Sequence, residues 1–395
     1  MSKGTILYVG NFDKPDASAA GKRVYGNALV FAKLGYRVVL IGKSKQGSAE
    51  QAAQYFGGRI EFYTFPDYGM LKTDKYVKWI NTFCEKLCIS PVAIIRYGSP
   101  ALAYFDYQLC RYATKRNIPI ISDVVDWLSV DGGSLIFKIV KTLDTYLEKA
   151  FFNKLGNGVI CISTWLQNYY NKSGKKTIVL PPLVERYLEP AEPNDTVQVV
   201  YAGVPFRKGD RIKNVHKIKD RLDLTVQVFA HLNEMRSDFQ LHIYGISANE
   251  YLIAFPEQND LLQKAEKAII FHGMQPMSIV QEAVRRADFT VLLREKSRAT
   301  MAGFPTKVVE SMAMGTPVIT TDTSDLAKYI EDAKTGFFVQ LNGEQAIEKQ
   351  LSEIMDCNAG ERKIMRMNCI QQKTFMYDVY TSAVNDFCLQ IVPHS

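Results

Sequence analysis

The stretch GTILYVG (residues 4–10) is an apolar run of strand length, followed by the polar loop NFDKPDASAAG. In KRVYGNALVFAKL (22–34) apolar positions recur at helical spacing and stop at Gly35, after which YRVVLIG is a second strand. This is a β-loop-α-β unit with a right-handed crossover. The alternation goes on through RIEFYTF, KYVKWINTFCEKLC, VAIIRYG, LAYFDYQLCRYATKR and PIISDVV. A helical region over 134–155 follows, then GVICIS, TWLQNYYN and KTIVLPPLV. The proline-rich ERYLEPAEPND (185–195) interrupts the pattern and reads as a hinge.

A second alternating half begins at VQVVYAG and continues through RLDLTVQVFAHLNE, FQLHIYG, AIIFHG, MSIVQEAVRRA, DFTVLLR, TPVITTD and GFFV. The pattern predicts an α/β chain of two doubly wound Rossmann-like domains, 1–188 and 189–370. They face across a cleft at their strand C-termini, where open parallel sheets bind ligands. In residues 371–395, Phe375, Tyr380, Val384 and Phe387 fall at near-helical spacing, read either as plain domain packing or as a helix crossing back to the first domain.

Length and apolar content, 395 residues and 47%, suit two cores. The net charge of +7 favours anionic ligands without naming one. The basic residues are not interleaved with aromatics in a nucleic-acid-binding module, so no nucleic-acid partner is expected. Seven cysteines without a CxxC pair read as reduced thiols of a cytoplasmic protein, and no metal site is expected. No G-x-G-x-x-G follows the first strand, which argues against a dinucleotide enzyme.

The stretch AGFPTKVVESMAMGTPVI (302–319) carries the sharpest chemistry. Pro305 suits the first turn of a helix, and Gly303 lets the loop before it approach a ligand. The open N–H groups near Thr306 and Lys307 can hold a diphosphate. Glu310, one turn on, can accept from a ribose diol. The same residues also read as an exposed glutamate between ordinary turn signals.

This stretch resembles the nucleotide-sugar site of the retaining glycosyltransferases of family 4, a GT-B-fold group that includes bacterial surface-polysaccharide enzymes. Their pattern is a glutamate, seven residues, a second glutamate and A-M/L-A-x-G-x-P-V-I. ESMAMGTPVI makes Glu310 the second glutamate, and Ala302 stands where the first belongs. The likeness is strong over 269–339, moderate over 197–245 and weak in the first domain.

The resemblance implies a nucleoside-diphosphate sugar donor, no cofactor, and transfer with retention to a glycan or polyprenyl-linked hydroxyl. It places the donor against Gly303, Phe304, Pro305, Thr306, Lys307 and Glu310, with Arg294 and His272 beside them and Gly21 and Lys22 across from them. Arg207 and Lys219 are the matches for the charge-neutralising arginine and lysine, and Asp126 is a further catalytic candidate. Asp123 and Ser163 fall on the acceptor side. The alternative is a sugar-nucleotide-binding or assembly protein that kept the fold, a reading that Ala302 keeps open. The region 134–155, with four lysines among Leu, Ile and Phe, reads equally as a packed helix or as a peripheral contact with an anionic membrane.

Overall fold

Strand β1 (Thr5–Gly10) is buried at its last five positions, as happens when helices cover both faces of a parallel sheet. Its alternate residues enter different layers: Ile6 and Tyr8 pack with Val24 and Phe31 of α1 (Ala19–Lys33), whereas Leu7 and Val9 pack with Ile80 and Phe105. The computed structural model describes residues 3–43, 53–127 and 135–392, the side chains of 135–139 excepted. It divides into two units, Met1–Glu185 with Ala302–Phe304 and Phe375–Ser395, and Arg186–Met301 with Pro305–Thr374.

The first unit adds β2 (Arg37–Lys43), β3 (Ala53–Tyr55), β4 (Ile60–Phe65), β5 (Pro91–Tyr97), β6 (Ile120–Val124), β7 (Gly158–Cys161) and β8 (Lys176–Val179). Their order in the sheet is β3-β4-β2-β1-β5-β6-β7-β8, parallel except for the short edge strand β3. Helices α2 (Thr73–Lys86), α3 (Tyr104–Thr114), α4 (Leu135–Ala150) and α5 (Thr164–Asn171) fill the crossovers. The helical region expected from 134 is helix from Leu135, Ser134 lying outside the described residues, and it gives way to a 3-10 turn at Phe152–Lys154.

The second unit holds β9 (Val197–Ala202), β10 (Phe239–Tyr244), β11 (Ile269–Gly273), β12 (Phe289–Leu292), β13 (Val318–Thr320) and β14 (Gly336–Phe338). Their order is β11-β10-β9-β12-β13-β14, and the paired strands run parallel. Between them come α6 (Leu222–Met235), α7 (Ala248–Ala254), α8 (Asn259–Lys264), α9 (Met277–Arg286), α10 (Arg298–Ala302) and α11 (Thr306–Ala313), followed by α12 (Glu344–Met355) and α13 (Ala359–Gln372). The order reverses between β9 and β12, so the crevice beyond their C-termini is the topological switch point where such sheets bind ligands.

The last helix of the described residues is α14 (Thr381–Leu389), whose Val384 and Phe387 are buried in the first unit's core.

Candidate functional site

At the switch point of the second unit, three side chains from distant parts of the chain converge on one carboxylate. Asp220 lies just before α6, and the Arg221 N–H donates to the Leu293 carbonyl (2.9 Å), which pins this loop to the end of β12. The Asp220 side chain is only 7% exposed. It accepts from Arg294 Nε (2.8 Å), Lys307 Nζ (2.5 Å) and the Tyr201 hydroxyl (3.1 Å). Lys307 Nζ also lies 4.6 Å from the centre of the Tyr201 ring, a cation–π contact. Gly203 leaves room for that lysine, since a Cβ there would come within 2.1 Å of Lys307 Nζ.

Two cations therefore share this carboxylate, and Glu310 acts on Lys307 from further along the same helix. Burial alone would raise the Asp220 pKa, but Lys307 and then Arg294 outweigh it and hold the carboxyl below the usual range. Lys307 titrates below an ordinary lysine because desolvation exceeds the pull of Asp220. Arg294 is held further by its backbone N–H, which donates to Thr321 Oγ1 (3.0 Å). Lys219, adjacent to Asp220 in sequence, is half-buried.

The helix that carries Lys307 adds donors. No side chain caps α11, and no acidic residue stands in its first turn. Its leading N–H groups are the kind of donor set an anion takes up. Pro305 is the cap residue with an extended ψ of 103°, so the helix starts at Thr306, one residue later than the sequence suggested. Glu310 is half-buried on the same helix and lines a small pocket with Lys307, Ala202, Val280, Leu292 and Met314. On the neighbouring strands, the His272 ring stacks on Tyr244 with centroids 4.2 Å apart and planes within 6°. His272 Nε2 lies 2.9 Å from His242 Nδ1, and burial lowers the pKa of both rings, the first imidazole adding to the effect on His242.

Several expected residues are placed otherwise. Arg207 is 81% exposed and its nearest acid is Asp210 at 4.0 Å, so it takes no part in the cluster, whose arginine is Arg294. The loop between β9 and α6 holds Arg207 in solvent. Gly303 and Phe304 are buried and group with the first unit, where Phe304 meets the Phe375 ring. Gly21 gives its N–H to Ser18 Oγ (3.1 Å), the N-cap of α1, so that donor is already used. Glycine is required there because a Cβ would lie 2.1 Å from the Lys14 carbonyl oxygen. Lys22 follows it, half-buried in the first turn.

Asp123 is a buried bolt that also lines the polar pocket holding Asp126. It accepts from Tyr8 (2.5 Å), Arg23 (2.9 Å) and Asn27 (3.1 Å), and so ties β1, α1 and β6 together. Ser163 is fully buried. It caps α5 and donates to the Ala302 carbonyl (2.6 Å), a residue that also belongs to the first unit. Asp126 is different: a third exposed, it pairs with Lys149 at 3.7 Å beside a polar pocket that also takes in Ser99, Lys141 and Glu148. Among the described residues, no group of three or more His, Cys, Asp or Glu is placed to hold a metal ion.

Comparison with solved structures agrees on the architecture. A sucrose-phosphate synthase from Thermosynechococcus elongatus superposes with a TM-score of 0.66 at 15% identity over 98% of each chain. Anabaena Alr3699/HepE in complex with UDP gives 0.61 at 12% identity, over 97% of this chain and 98% of that one. The fold is GT-B. The family model described as glycosyl transferases group 1 matches residues 214–374, which contain Asp220, Arg294, Lys307 and Glu310. A curated relative from Salmonella typhimurium, a putative colanic acid biosynthesis glycosyltransferase WcaL, is 29% identical over 137 residues, 34% of this chain. The match spans 33% of that relative's length.

Proposed function

We propose that the chain is a glycosyltransferase that moves a sugar from a nucleoside-diphosphate donor to a hydroxyl of a glycan or lipid-linked acceptor, with retention, in bacterial surface-polysaccharide assembly. The observation that carries this reading is the meeting of Arg294 and Lys307 on Asp220 beside the uncapped start of α11. Breaking the bond from the anomeric carbon to the diphosphate oxygen loads negative charge onto the phosphates. Cations and N–H groups fixed in advance lower that barrier. The same-face route forms the bond from the acceptor oxygen to the anomeric carbon, while the acceptor proton passes to the departing phosphate oxygen.

In this reading Arg294, Lys307 and Lys219 meet the phosphates, with the N–H groups of Thr306 and Lys307. Glu310 takes the ribose, and the Tyr244–His272 stack lies on the side of the base. The UDP bound to Alr3699/HepE and the group 1 family match support a nucleoside-diphosphate donor. Asp126 and its polar pocket serve the acceptor. Ala302, buried where the resemblance has a carboxylate, favours the second reading of a sugar-nucleotide-binding protein. A panel of nucleotide sugars, with and without membrane lipid extract, separates the two. Release of diphosphate with one donor is the expected result, whereas saturable binding without release under any condition supports the binder.

A further inference from the structure

Helix α4 and the turn after it carry their polarity the wrong way round. Among residues 140–155 those open to solvent are Val140, Thr142, Leu143, Tyr146, Phe151 and Leu155, and none bears a charge. The five apolar ones are between 49% and 59% exposed. The charged side chains Lys141, Asp144, Glu148 and Lys149 instead line the polar pocket on the other side of the helix. A helix that faces only water does the opposite.

A second group of exposed apolar side chains lies on the same unit. The Ala103 N–H donates to Asp144 (2.7 Å), and the Leu102 N–H beside it to the Met70 carbonyl (3.2 Å). Met70 and Leu71 are exposed, Leu71 at 82%, and exposed Lys72, Asp74 and Lys75 follow. An uncharged face carrying leucines and aromatics, on a chain of net charge +7, complements an anionic bilayer. No helix of the described residues is long and apolar enough to cross a membrane.

We propose that this face seats on an anionic bilayer, and that the pocket behind it takes the hydroxylated headgroup of a lipid-linked acceptor. The second half rests on the transferase reading; the first does not. The pocket lies across one helix from the bilayer, about 10 Å, within reach of a headgroup.

The test is co-sedimentation of the full chain with vesicles of phosphatidylcholine alone or mixed with phosphatidylglycerol. The wild type sediments with the mixed vesicles, and Leu143→Glu with Tyr146→Glu lowers its partition at least ~tenfold. Both positions are exposed, so thermal melting and nucleoside-diphosphate titration stay unchanged. A wild type that stays in the supernatant with both vesicles overturns the docking, as does a variant that sediments equally. A dimer in sedimentation velocity that the same double substitution disperses overturns it too, by assigning the face to a second copy. Vesicle binding by a protein that neither binds nor turns over nucleotide sugars leaves the docking standing and removes the acceptor half.

Discussion

Asp220 decides how the cluster at the switch point behaves, because it pairs with two cations that otherwise repel each other. Asp220→Asn removes the carboxylate that Arg294 and Lys307 share and is expected to cost on the order of 3 kcal/mol in urea unfolding at neutral pH. The pH dependence has a definite sign. A carboxyl held below its unfolded value of ~3.9 contributes stability that is present above that value and lost as pH falls through the folded one. Wild-type stability should therefore drop below about pH 4, and the asparagine variant should lack that part of the fall. Lys307→Ala and Arg294→Ala should each weaken nucleoside-diphosphate binding at least ~tenfold in calorimetric titration, with Arg207→Ala within about twofold of wild type. Lys219→Ala should lower turnover at least ~tenfold with the fold intact; unchanged kinetics would remove its role.

Residues of this kind were only partly legible. Lys307 and Glu310 stand in a local motif, but Asp220 sits between Lys219 and Arg221 in a basic loop. Its partner Lys307 is 87 positions away, a pairing that no local period reveals. Asp123 was visible as a strand-end acid, yet the donors that occupy it come from Tyr8, Arg23 and Asn27.

Among the elements, α11 is the one whose first turn carries the proposed phosphate site. Thr306→Asp adds a charge that suits the helix start, by ~0.3–1 kcal/mol, at the place proposed for the phosphates. Melting temperature should hold or rise while nucleotide affinity falls at least ~tenfold. Falling stability, or unchanged affinity, would contradict the placement. Strands were the easiest elements to foresee, because those buried on both faces read as continuous apolar runs such as ILYV and VVLI. The antiparallel edge strand β3 was missed, since three residues are too few to show a period. Pro305 marked the start of α11 to within one residue, as neither the cap nor the first turn needs the N–H that proline lacks.

For the whole molecule, the segment from Phe375 supplies core to a unit whose sheet ended nearly 200 residues earlier, at β8 (Lys176–Val179). Phe375, Val384 and Phe387 are buried there, each contributing ~1.5–3 kcal/mol by burial. A chain ending at Thr374 should lose cooperative unfolding of the first unit in calorimetry; an unchanged transition would show that the segment is dispensable. The central claim concerns where the donor's phosphates lie. A crystal structure with a bound nucleotide sugar tests it most directly: the account predicts diphosphate oxygens within hydrogen-bond distance, ~3 Å, of Lys307 Nζ and the Thr306 or Lys307 N–H. Phosphates bound away from the start of α11 would contradict it.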